Sequence, residues 1–320
     1  MQKLRRRLLA AGTLLGAGGL LAACAAGPTT RTRSTEAGRT PDPGRTDNGF
    51  EPPDAPPAQV ATTAGKAALG DARLWYWDTG GSGPAIVLLH PFTGSAWVWP
   101  YQQPVFARAG YRVIAYSRRG FQGSEAGPQE RPGTGAGDLL QLVDHLGVDR
   151  FHAIGSAGGA FVAADFALSH PQRLHSLVLA CSILGVQDEP VAAMNRRLRI
   201  PESEGLPEYF RELGPSYRAT DPDGTALWRQ HQSQSHTGTP VAQGYINQIK
   251  LADLARLTTP TLLIAGDSDL IAPPPMARLF AQYIPRAEVA VLPECGHSAY
   301  WEQPARFNTA VLNFIAGHNT

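Results

Sequence analysis

The chain has 320 residues, with 28 Lys and Arg against 27 Asp and Glu and a formal net charge of +1. So even a balance offers no electrostatic footprint for a nucleic acid or a strongly charged partner, and three cysteines are too few for a disulfide-stapled scaffold. Once the N-terminal segment is set aside, about 250 residues remain, enough for one large α/β domain with an insertion.

In chain order, Arg5-Arg6-Arg7 precede an apolar stretch from Leu8 to Ala23. It is shorter than the ~20 residues a spanning helix needs, so it reads as an export signal over residues 1–23 rather than a membrane span. Leu21-Ala22-Ala23-Cys24 resembles a bacterial lipobox, and Arg5-Arg6 before Leu8-Leu9 resembles a twin-arginine signal. The resemblance implies cleavage before Cys24, lipid on its sulfur, and a cell-envelope protein held to a membrane by that lipid. Residues 24–70, with Pro41, Pro43, Pro52, Pro53, Pro56 and Pro57, read as a disordered tether ahead of a domain over 71–320.

Within that domain, apolar runs mark strands at Leu74–Trp77, Ala85–Leu89, Tyr111–Tyr116, Phe151–Ile154, Leu174–Ala180, Thr261–Ala265 and Glu288–Leu292, and the run Ala85–Leu89, bounded by Gly and Pro, suits a central parallel strand buried on both faces. Helical periodicity lies between them, as in Asp138–Leu146 and Ala160–Leu168. Strands alternating with helices predict a doubly wound, mostly parallel α/β sheet. From about 184 to 251 the alternation breaks, and this stretch reads as a helical cap over the carboxyl ends of the strands. Cys181 and Cys295 would lie near strand ends, where they either pair or stay as buried thiols.

The run Phe151-His152-Ala153-Ile154-Gly155-Ser156-Ala157-Gly158-Gly159 turns a strand sharply into a helix. It resembles the nucleophile elbow of the α/β-hydrolase family, G-x-S-x-G. Two registers are open. With Gly155 and Gly159 as the motif glycines, Ala157 occupies the nucleophile position. With Ser156 as nucleophile, Ile154 falls where a small residue is needed. The strand phase favours Ala157.

Other motifs fit the same family. His90-Pro91-Phe92 resembles its oxyanion loop, implying donors at the N–H of Phe92 and, at the elbow, Gly158. Ser117-Arg118-Arg119-Gly120 resembles its D-x-R-G loop, with Arg119 and Gly120 structural. Gly266-Asp267-Ser268-Asp269 and Gly296-His297 resemble the acid and histidine loops, implying a His297–Asp269 dyad in the family's chain order.

Three functions follow from the resemblance. The chain is a hydrolase of esters or similar carbonyl compounds; or an enzyme without a side-chain nucleophile, a lyase or cofactor-free oxygenase using the dyad as base; or a small-molecule-binding protein without catalysis. Every reading expects a small-molecule ligand. No phosphate-binding glycine motif, metal cluster or flavin signature is present, so no cofactor is expected.

Overall fold

The computed structural model describes residues 52–237 and 241–319. The expected export signal and Cys24 lie outside them. An eight-stranded sheet runs in the order β1-β2-β4-β3-β5-β6-β7-β8. Its strands are β1 (Thr63–Leu69), β2 (Ala72–Asp78), β3 (Ala85–Leu89), β4 (Arg112–Tyr116), β5 (Phe151–Ser156), β6 (Leu174–Ala180), β7 (Thr261–Gly266) and β8 (Ala287–Leu292). β1 and β2 pair antiparallel, β2 meets β4 antiparallel, and the rest is parallel.

The tether expected to reach residue 70 ends sooner. Thr63–Leu69 is a strand, turned back by Gly70 at φ 59° onto β2 in register Leu69↔Ala72. Gly70-Asp71 is a two-residue hairpin turn, and the alternation that buries Ala67 and Leu69 holds the strand to the core. A short strand of small residues beside a proline-rich stretch gives little periodic signal.

Helices cover both faces. α2 (Gly135–His145), α3 (Gly158–Ser169) and α8 (Pro274–Ala281) pack on one side, with Phe151 and Ala153 pointing at them. α1 (Gln103–Arg108), α9 (Ala299–Glu302) and α10 (Pro304–Ala316) pack on the other, with Ile154 and Val178. Between β6 and β7 run α4 (Glu189–Leu198), α5 (Glu208–Glu212), α6 (Pro215–Thr220) and α7 (Pro222–Gln234), in the stretch the sequence assigns to a cap. Of its aromatics, Tyr217 and Trp228 are buried in the core, and Phe210 lies under the Arg218 guanidinium.

The first residues of α3 lie very close to the sheet. A Cβ on Gly159 would sit 2.0 Å from the Leu89 carbonyl oxygen, and one on Gly155 would sit 2.6 Å from the Gly159 carbonyl oxygen. Both obstacles are backbone, of β3 in one case and of α3 in the other, and cannot swing aside as a side chain would. Gly159→Ala is therefore expected to cost roughly 3 kcal/mol or more. Thermal unfolding should show a fall of about 10 °C in Tm, or loss of soluble protein.

Candidate active site

The carboxyl ends of β3, β5, β7 and β8 converge, and every candidate residue of the domain lies at or just beyond one of them. After β5 the chain turns at Ala157, with φ 48° and ψ −112°. A positive φ is uncommon for a residue with a Cβ and is a sharp, strained strand-to-helix turn here. Gly155 and Gly159 stand two residues to either side. Ser156 is the last residue of β5, on the same side of the strand as Ile154. It is 1% exposed and its hydroxyl has no hydrogen-bond partner.

The turn leaves two backbone donors open. Neither the Phe92 N–H nor the Gly158 N–H donates a hydrogen bond within the described residues. The Phe92 ring lies against Gly158, where an added Cβ would come within 2.4 Å of it. Pro91 has no N–H to offer, and its carbonyl accepts from Gly94 at 3.3 Å and from His90 Nδ1 at 2.7 Å.

On the other side, Asp269 and His297 meet. His297 Nδ1 is 2.8 Å from Asp269 Oδ2, while Asp269 Oδ1 accepts from the backbone N–H of Ile271 at 2.7 Å and Ala272 at 2.9 Å. An ionised carboxylate only accepts, so the imidazole proton sits on Nδ1 and Nε2 keeps its lone pair. The histidine loop is held from two further directions. The Glu302 carboxylate accepts from Gly296 N–H at 2.9 Å, Ser298 N–H at 3.1 Å and, from the cap, Gly214 N–H at 2.7 Å. The Glu212 carbonyl accepts from His297 N–H at 2.7 Å and Ser298 N–H at 3.2 Å.

Glu212 carries no motif and no periodic pattern that marks it in the sequence, yet it joins both halves of the site. Its Oε2 accepts from Thr93 Oγ1 at 2.9 Å and from Ser298 Oγ at 3.3 Å, linking the residue after Phe92 to the residue after His297. Cys181 and Cys295 are separate buried thiols, both directed at the Gly296 carbonyl. Among the described residues no group of three or more His, Cys, Asp and Glu side chains is arranged to hold a metal ion.

Residues 86–310 match the model of the alpha/beta hydrolase family. The chain belongs to that family. A 2-hydroxy-6-oxononadienedioate/2-hydroxy-6-oxononatrienedioate hydrolase of Burkholderia vietnamiensis is 30% identical over 263 residues, which cover 77% of this chain and 91% of the relative. An esterase from Thermogutta terrifontis, solved with malate bound, is 27% identical with a TM-score of 0.64, over 82% of this chain and all of its own. A bromoperoxidase from Bacillus anthracis, 24% identical with a TM-score of 0.66 over 79% of this chain and 100% of its own, shares the fold. With relatives that are hydrolases and esterases, this member of the alpha/beta hydrolase family is an enzyme of the hydrolase class.

Three carboxylates, those of Asp269, Glu212 and Glu302, act on the His297 imidazole. Burial opposes a charged His297, but Asp269 by charge and hydrogen bond, then Glu212 and Glu302 by charge, lift its pKa above the ordinary 6.5. Burial likewise raises Glu212, which the His297 charge partly offsets. Glu302 is pushed up to about 7 by burial, against the three N–H groups that favour its ionised form. Glu212→Gln removes one negative charge from beside the imidazole. The His297 pKa, followed by the NMR shift of its ring protons, is expected to fall toward 6.5 in that variant; an unchanged value means Glu212 does not act on the ring.

Proposed function

We propose that this enzyme hydrolyses an ester or similar carbonyl compound with water as the attacking group, His297 as general base, Asp269 as the group that holds and charges it, and the Phe92 and Gly158 N–H groups as the oxyanion hole. The observation that carries this reading is the residue at the elbow: the strained turn belongs to Ala157, while the Ser156 hydroxyl is sealed behind the strand.

The step balances simply. His297 Nε2 takes a proton from water as the new C–O bond forms, and the carbonyl oxygen becomes an oxyanion facing the two backbone donors. Collapse of the tetrahedral intermediate breaks the bond to the leaving group, which takes that proton from His297, giving an acid and an alcohol. A positioned base contributes typically 10²–10⁴-fold, and oxyanion stabilisation with binding supplies roughly 10³–10⁴-fold when a triad lacks its nucleophile. Such an enzyme suits a reactive carbonyl better than an ordinary ester. The imidazole must be neutral to act, so kcat/KM rises with pH through a value above 6.5.

A fluorophosphonate probe separates the two registers. Wild type and Ser156→Ala are expected to remain unlabelled with equal activity, His297→Ala to lose at least 10²-fold, and Ala157→Ser to gain a labelled serine at position 157. An adduct on Ser156 would sink this reading. The dyad acting on a substrate C–H, as in a lyase or oxygenase, would instead give products other than an acid and an alcohol.

We also propose that lipid on Cys24 keeps the enzyme at a bacterial cell envelope, on the strength of Leu21-Ala22-Ala23-Cys24 after a basic and apolar start. Cys24→Ser is expected to move the protein from the membrane fraction to the soluble fraction.

A further inference from the structure

Arg118 and Arg119 are neighbours in sequence with opposite surroundings. Arg119 donates to Asp138 through Nε at 2.8 Å and Nη2 at 2.9 Å, and to Asp71 through Nη1 at 2.8 Å. Arg118 is as deeply enclosed, at 5% exposure, yet among the described residues no carboxylate pairs with it. Its Nη2 donates to the carbonyl oxygens of His90 at 3.0 Å and Pro91 at 3.1 Å. The guanidinium carbon lies 4.8 Å from the ring centres of both Phe92 and Phe121. Nη1 makes no hydrogen bond within the described residues.

Among the described residues no acidic side chain neutralises the charge. His90 is neutral, held far below its ordinary pKa by burial and by Arg118 itself; its Nε2 accepts the Arg118 backbone N–H at 3.0 Å. Burial lowers the arginine, but only to about 10, with the phenols of Tyr116 and Tyr245 weakly favouring its charge. It is a cation at neutral pH. Its partners, the two carbonyls, the His90 imidazole at 3.4 Å from Nε and the two phenyl rings, are all neutral, so the buried cation keeps an unmet demand for an anion, and guanidinium fits a carboxylate through two parallel N–H donors.

Its place gives that demand a meaning. The two carbonyls it holds belong to the residues immediately before Phe92, whose ring touches Gly158 and stands edge-on to Phe161 at 5.9 Å. Phe92 itself is 49% exposed, so this rim of the site is open. We propose that Arg118 is the specificity-determining anchor of the site, binding a carboxylate carried by the substrate, so that the enzyme acts on carbonyl compounds that are also carboxylic acids, with an apolar link lying along Phe92 and Phe121. This deepens the hydrolase reading and rests on it for the chemistry, though not for the binding.

Binding is the test, since it does not require turnover. Phenylacetate and adipate, with phenylacetamide and adipamide as uncharged counterparts, are titrated calorimetrically into full-length wild type, Arg118→Lys, Arg118→Gln and His297→Ala. The acids are expected to bind wild type and His297→Ala at least about tenfold tighter than the amides. Arg118→Gln erases that preference and Arg118→Lys keeps part of it. Should Arg118→Gln fail to fold, the acid-to-amide ratio in wild type and Arg118→Lys still decides. Equal binding of acids and amides, no binding of either acid, or an acid preference surviving in folded Arg118→Gln overturns the proposal. Sulfate displacing phenylacetate with equal affinity also overturns it, as a general anion pocket. Loss of turnover with the acid preference intact would count against the water mechanism alone.

Discussion

The close approach of α3 to the central strands is the constraint on which the rest of the site depends. Because Gly159 has no Cβ, the helix starts against the Leu89 carbonyl, and because Gly155 has none, the strand passes beneath it. The chain must then reverse within Ser156-Ala157-Gly158, and only a positive φ at Ala157 allows it. Strain of this kind costs of order 1–3 kcal/mol and persists because packing on both faces over-determines it. Cys181 at φ 48° and Glu294 at φ 53°, just past the ends of β6 and β8, are bent in the same way. With Leu184 at φ 56° in the loop after β6, the non-glycine positive-φ residues among the described residues all follow the carboxyl ends of β5, β6 and β8.

A second level of organisation is electrostatic and divides the site in two. Around His297 lie Asp269, Glu212 and Glu302, buried and mutually repulsive, kept there by backbone N–H groups, hydroxyls and the imidazole. Around Phe92 lies a cation, Arg118, with no acidic partner among the described residues. Since Glu212 belongs to α5 and Glu302 accepts from Gly214, the cap and the histidine loop share hydrogen bonds, and the orientation of the imidazole depends on where the cap sits. Low local dielectric strengthens each of these interactions, and each unmet group costs correspondingly more.

Much of the fold was legible because buried parallel strands are written as unbroken apolar runs. Ala85–Leu89 and Leu174–Ala180 needed no other signal, and Gly266-Asp267-Ser268-Asp269 and Gly296-His297 follow the ends of β7 and β8. Short β1 was hidden because two buried residues, Ala67 and Leu69, carry its whole pattern, and its hairpin turn looked like the end of a proline-rich linker. Glu212 and Arg118 were hidden for a different reason. Their significance lies in what surrounds them across long sequence separations, Thr93 and Ser298 for one, His90 and Pro91 for the other. Local sequence records neither the neutral surroundings of Arg118 among the described residues nor the burial of Glu212.

The register of β5 decides what the elbow can do, and packing pins that register. Phe151 and Ala153 face α2, α3 and α8, while Ile154 and Ser156 face the opposite layer. Moving Ser156 to the turn would slide the strand by one residue and send every side chain of β5 to the wrong face. It would also place Ile154 where Gly155 now lies, at a point where even a Cβ comes within 2.7 Å of the Ala160 backbone. The close contacts at Gly155 and Gly159 thus go together with Ala157 at the turn. What remains at the turn is an alanine in a conformation that, in a nucleophile elbow, would hold a reactive group aloft. With no such group, what the turn offers is backbone: the Gly158 N–H, beside the Phe92 ring, has no hydrogen-bond partner among the described residues. In the reading proposed for this enzyme, that open donor is the purpose of the turn, and the attacking oxygen comes from water.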